Sequence, residues 1–194
     1  MKPELLTLGF DTSAAHCAAA LLSGTEVLTA ISEDMTRGQA ERLMPMIEEM
    51  LTAHGLGWSD LHRIGVGIGP GNFSGIRISV SAARGLALSL GIPAVGISTF
   101  DAIALTVDAS QTPAVPAPQD RVYIALPGHE PKLVSRSKGQ SLALPPNGAL
   151  LATNIARLAS KAEPPFTRPA PLYIRAADAA PPRDAPPVIL EDDG

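Results

Sequence analysis

Gly67-Ile68-Gly69-Pro70-Gly71-Asn72-Phe73-Ser74-Gly75-Ile76-Arg77 holds four glycines, one proline and no lysine. It follows a short apolar run, Ile64 to Ile68, and precedes a long helical pattern, Ser74 to Leu90. A glycine-rich turn between strand and helix is the usual geometry of a phosphate cradle, because the first helical amides are unpaired and the helix dipole favours an anion. The residues that do chemistry beside such a loop are missing. A Walker loop needs a lysine directly after its last glycine, and Ile76 stands after Gly75. The dinucleotide fingerprint fails too, since Phe73 and Ser74 delay the third glycine by one place. The next strand, AVGIST, brings no acid to a ribose. Two readings remain: an anion-facing turn, and a tight strand-to-helix turn capped by Asn72 or Ser74. Arg77 stands in the first helical turn, where a cation is unfavourable unless something negative faces it.

Upstream, Leu5–Phe10, Cys17–Leu22 and Glu26–Ile31 read as strands joined by short polar turns, an antiparallel meander. Thr36–His54 reads as a helix. Leu43, Met46, Ile47, Met50 and Leu51 form its apolar stripe, and Gly55 stops it. Pro45 should bend this helix or mark the start of its regular part. Met44 lies off the stripe, so the methionines suit either core packing or a partner surface. Downstream, Ile76, Val80, Ala83 and Ala87 give the second helix a packing face. Ala94–Ile97 reads as a strand and Thr99–Val107 as a helix capped by Thr99. The order β-β-β-α-β-α-β-α is that of a ribonuclease-H-like half, the unit of the actin–Hsp70–sugar kinase superfold.

The rest of the chain is sparser. Gln111–Gln119 reads as a linker or mobile loop, Arg121–Leu126 and Lys132–Ser135 as strands, Asn147–Lys161 as a helix capped by Asn147, and Pro164–Pro187 as an extended tail. The expectation is an α/β protein with a complete first lobe over 1–107 and a reduced second lobe over 108–194.

Composition narrows the function. The net charge of −4 argues against a protein that holds nucleic acid alone through a broad basic face. With 4% aromatic residues, the core must be aliphatic and alanine-rich. The single cysteine, Cys17, permits no internal disulfide and fits a reducing compartment. It lies in an apolar strand, and His16 points to the opposite face. His16, His54, His62 and His129 show no metal-binding spacing. Ser74 is one place late for the motif G-x-S-x-G. No run is apolar enough to span a membrane, and no signal peptide is visible. The expected location is cytoplasmic. Asp11, Thr12 and Ser13, at the end of the first strand, stand where kinases of this superfold place an acid and hydroxyls near magnesium and phosphate. The plainer reading of these residues is a polar strand end.

As a set, LGFDTSAAHCAAALL, QAERLMPMIEEML, IGVGIGPGNFSGIRISVSAARGLALSLGIPAVGISTFDAIA and PLYIRA closely resemble the TsaB (YeaZ, glycoprotease-like) family of tRNA threonylcarbamoyladenosine biosynthesis proteins. The likeness is strong over 5–105 and returns at 171–176. It implies a catalytically silent relative of the TsaD transferase, a scaffold that acts at the adenosine beside the anticodon only through its complex. It implies pairing with TsaD, binding of the ATPase TsaE, a homodimer when isolated, and contact with tRNA only through the complex. It implies no metal and no cofactor of its own, with ATP or ADP at a shared partner interface. The expected interface residues are Leu43, Met44, Met46, Ile47, Met50, Val80, Ala83, Arg84 and Ala87. The residues expected near any nucleotide are Asp11, Thr12, Ser13, Gly69, Gly71, Asn72, Ser74, Gly75 and Arg77. Gln39 departs from the family's usual histidine. The competing readings are a nucleotide-dependent phosphotransferase using Asp11 and a glycoprotease-like peptidase.

Overall fold

The computed structural model describes residues 4–126, 128–137, 139 and 141–174. The part of the proline-rich tail after residue 174, including the end of PLYIRA, lies outside the described residues.

The chain opens with β1 (Leu6–Asp11), β2 (His16–Ser23) and β3 (Glu26–Asp34), an antiparallel meander. Next come α1 (Gln39–Ala53), β4 (Arg63–Gly67), α2 (Phe73–Leu90), β5 (Ala94–Ile97) and α3 (Thr99–Ala104). The strands form one sheet in the order β3-β2-β1-β4-β5, with β4 parallel to β1 and β5 parallel to β4. That is the ribonuclease-H-like arrangement expected from the sequence. A second sheet contains β6 (Thr112–Ala117), β7 (Arg121–Ile124), β8 (Lys132–Ser135) and β9 (Leu142–Ala143), in the order β8-β7-β6-β9. The last described helix is α4 (Gly148–Lys161).

The first sheet is buried on both faces, and the two faces differ. Alternation sends Leu8, Phe10, Cys17, Leu21, Ile64 and Val66 toward α1 and α2, where Leu43, Met46, Ile47 and Met50 meet them. The other face carries only small side chains along its centre. Gly9, Gly65, Ala18 and Ala20 meet Ala152, Ala156 and Ala159 of α4. A Cβ on Gly9 would stand 2.6 Å from the Ala152 carbonyl oxygen and the Ala156 nitrogen. The helix backbone therefore lies almost on the sheet, which is what the alanine-rich composition is used for. Arg63 Nη1 fixes the helix end by donating to the carbonyls of Ala159, Ser160 and Ala162 at 2.8–2.9 Å. These orphan C-terminal carbonyls favour a cation.

Several local expectations change. The stretch 111–119 is not a linker but carries β6, which buries Ala114 and Val115. Pro113 and Pro116 hide it in the sequence. Proline is tolerated in strands where the ladder does not call on its missing N–H, and on one side β6 has only the two-residue β9. The turn into β7 places Gln119 and Asp120 at φ 62° and 52°, a left-handed pair that usually announces itself by glycine or asparagine. The cap of α3 is Ser98, not Thr99: Ser98 Oγ accepts from the Asp101 amide at 3.0 Å, and the helix ends at Ala104. Helix α1 starts at Gln39, after Gly38, and runs through Pro45 without interruption, so that residue does not mark its beginning. Asn147 caps α4, as expected.

Candidate functional site: the glycine turn and its cleft

The turn after β4 is filled by its own chain. Gly67, Gly71 and Gly75 recur every fourth residue, and each leans on one residue of the β1 end. A Cβ on Gly67 would overlap the Asp11 carboxylate. On Gly71 it would overlap the Ser13 carbonyl, and on Gly75 the Thr12 carbonyl. Hydrogen bonds lock the same contact: the Asn72 amide donates to Ser13 O at 2.6 Å, and Thr12 Oγ1 donates to Gly75 O at 2.7 Å. Across the turn, Thr99 donates from its amide to Gly69 O at 2.8 Å and from its hydroxyl to Pro70 O at 3.1 Å. Asn72 caps α2, its side-chain oxygen accepting from the Gly75 amide at 3.0 Å. The glycines are needed for backbone approach to the 11–13 turn. Ser74 lies exposed just beyond the cap.

Asp11 is fully buried. Its Oδ2 accepts from the Ser13 amide at 2.9 Å, from Ser13 Oγ at 3.0 Å and from His16 Nε2 at 2.8 Å. Its Oδ1 lies against Gly67 and has no hydrogen-bond partner among the described residues. His16 is the residue that sequence reasoning missed. It points away from Cys17, as expected, and its partner is the acid five residues earlier, across the β1–β2 turn. The signal was there in D-x-x-x-x-H spanning a tight hairpin. Cys17 faces the opposite side, and burial pushes its thiol up to about 11.

Ser13, His16, Gln39, Asn72, Ser74 and Tyr123 help to line a cleft of about 1160 Å³. It runs from the glycine turn and the start of α1 to the second sheet, where prolines and Leu144 form an apolar wall. Gln39 is buried, its Nε2 donating to Met35 O at 3.1 Å. Among the described residues no three His, Cys, Asp or Glu side chains gather as a metal site. No described helix is long and apolar enough to cross a membrane.

Arg77 does not face the cleft. It lies exposed on α2, its guanidinium 5.3 Å from the Phe73 ring centre. Of the residues expected at an interface, Leu43, Met46, Ile47, Met50, Val80 and Ala83 are packed inside the chain. The apolar stripe is the core face of the two helices, so these side chains are not presented to a partner. Met44 and Ala87 are half-buried and Arg84 is exposed. Met44, Ile78 and Ala82 are half-buried at the edge of that core, and Gly85 is exposed on α2.

The fold is thus a ribonuclease-H-like sheet whose strand-end acid is sealed beneath a glycine turn. Residues 30–140 match the family model described as TsaD, tRNA N6-adenosine threonylcarbamoyltransferase. The chain is 39% identical over 101 residues to the tRNA threonylcarbamoyladenosine biosynthesis protein TsaB of Haemophilus influenzae, covering 52% of this chain and 42% of that one. With TsaB of Escherichia coli it shares 37% identity over 93 residues, covering 48% and 40%. The solved structure of YeaZ from Pseudomonas aeruginosa superimposes with a TM-score of 0.56 at 31% identity, covering 73% of this chain and 68% of the other. A second Pseudomonas aeruginosa structure, of an uncharacterized protein with similarity to peptidase YEAZ, gives 0.71 at 23% identity over 88% of this chain and all of the other, which supports the fold. The chain belongs to the TsaD-like family, in its TsaB/YeaZ group. It spans less than half the length of the first two of these curated relatives.

Proposed function

We propose that this chain is a non-catalytic scaffold subunit for the synthesis of threonylcarbamoyladenosine in tRNA. It pairs with a TsaD-type transferase, supports the TsaE-type ATPase and meets tRNA through that complex. The observation that carries the non-catalytic part is the state of Asp11. A phosphotransferase of this superfold needs that acid open to magnesium and phosphate. Here one oxygen is committed to Ser13 and His16, and the other is pressed on Gly67. The turn that would cradle phosphate is occupied by residues 11–13.

The docking surface in this reading is the seam of α1 and α2. Ile78, Ala82 and Gly85 keep it shallow, and a Cβ on Gly85 would meet nothing within 4 Å. Small residues let a partner helix approach closely, and Met44 adapts to what it meets. The same seam serves a homodimer when the chain is alone. A nucleotide, where present, belongs in the cleft beside the glycine turn, at the border with the partner.

Co-purification with the TsaD-type protein of the same cell tests the pairing. The expected result is a stable complex that Gly85→Glu abolishes without unfolding the chain. An unchanged complex would remove the seam from the account.

A further inference from the structure

We infer that the flank of α2 facing residues 166–173 binds single-stranded RNA, taking an unpaired base on Tyr173 and phosphates on Arg77, Arg84 and Arg168. This rests on the tRNA reading above but departs from it in giving this chain a direct contact with RNA of its own, and it concerns a different side of α2 from the docking seam. At about 100° per residue, Arg77 and Arg84 share one direction, while Ile78 and Gly85 stand one step further round.

Two adjoining grooves of about 340 and 350 Å³ run between α2 and the 166–173 segment, and Arg84 lines both. Arg77 and Tyr173 line the first, Arg168 the second. Among the described residues no Asp or Glu lines either groove. Among the described residues these three arginines have no carboxylate partner, whereas Arg42 holds two. In a chain of net charge −4, the sign is locally inverted.

The aromatic part is equally specific. Phe73 and Tyr173 stack with ring centres 5.2 Å apart and a tilt of 30°. They remain 41% and 45% exposed. A ring that is held by stacking yet left open suits a second flat partner. Unpaired bases stack on such side chains, and guanidinium groups take the adjoining phosphates. An acidic peptide would satisfy the arginines but gives no flat partner to the open ring.

The test is fluorescence anisotropy of a labelled adenylate dodecamer, titrated with the full chain at several salt concentrations. Three phosphate contacts predict a log–log salt slope of about −2, at roughly 0.7 per contact. Tyr173→Ala should weaken binding at least about fivefold and leave the slope unchanged. Arg84→Gln with Arg168→Gln should reduce the slope to about −0.7. An abasic dodecamer should bind the wild type as weakly as adenylate binds the Tyr173 variant. Circular dichroism checks that the variants fold, and their altered side chains are exposed. Absence of RNA binding, a slope indifferent to the arginines, or competition by polyglutamate as strong as by RNA would each overturn the proposal. The titration uses the chain alone. Loss of pairing with the transferase would therefore count against the scaffold reading and leave the RNA result standing.

Discussion

Gly75 lies against Thr12 so closely that its α-carbon leaves no room for a side chain, while Thr12 Oγ1 donates to the Gly75 carbonyl at 2.7 Å. This contact joins the end of β1 to the start of α2. It explains the glycines of this phosphate-loop-like turn: they admit a neighbouring strand end.

Gly75→Ala should therefore destabilise the chain by about 1–3 kcal/mol, because the obstacle is backbone and the site is overpacked. Gly85→Ala, in the same helix but with open space around it, should stabilise by about 0.5–1 kcal/mol. Urea denaturation of the pair checks both signs. Equal effects would mean that helix propensity, not the Thr12 contact, governs position 75.

The pH dependence should come in part from Arg42 of α1, which pairs with Glu33 of β3 at 2.6 Å and with Glu49 of its own helix at 2.7 Å. Its hydrogen bonds hold both carboxyls below their ordinary value of 4.5. A carboxyl lowered in the folded state stabilises above its unfolded pKa, and that contribution is lost as pH falls through the lowered one. Stability should thus decline as the medium is acidified below about pH 4.5, and Arg42→Gln should flatten that part of the curve. High salt should flatten it too, since the pairs are solvent-accessible. Thermal melts between pH 6 and 3 make the comparison.

Cys17 is fully buried and its thiol is raised to about 11, so it should resist iodoacetamide at pH 8 in the folded chain and react promptly in urea. Mass spectrometry of the labelled protein reads this directly. Fast labelling of the native chain would contradict the packing of β2 under α1.

Much of the first sheet was legible because its signals are local. The meander has polar turns, α2 has Asn72 before it and Gly91 after it, and α1 has a regular stripe. What the stripe could not say is what it faces. Leu43, Met46 and Met50 suit a partner as well as a sheet, and only the position of β1 and β2 decides for the core. Strand β6 was hidden for the opposite reason. Pro113 and Pro116 are strong punctuation, and the small Ala114 hardly marks a buried face. The packing of α4 on the first sheet depends on Gly9 and Gly65 meeting Ala156 and Ala159 from the far end of the chain, which no window of sequence contains. The Asp11–His16 pair is local, five residues apart across one tight turn, but two polar residues at a strand end do not by themselves say that they pair.

The proposed docking seam predicts a separation between two kinds of substitution. Met46→Glu buries a charge in the core and should unfold the chain, by about 3 kcal/mol or more. Met44→Glu alters a side chain only half-buried at the core edge and should lower the melting temperature far less than Met46→Glu while weakening pairing at least tenfold. Gel filtration with the transferase, alongside circular dichroism, distinguishes the two.

The most direct measurement is tRNA threonylcarbamoylation by the TsaD-type and TsaE-type proteins of the same cell, with no addition, with this chain, and with its Gly85→Glu variant. The scaffold account predicts modification only with the wild-type chain, and no turnover by the chain alone. Modification that proceeds equally well without it, or turnover by the chain in the absence of the transferase, would contradict the account.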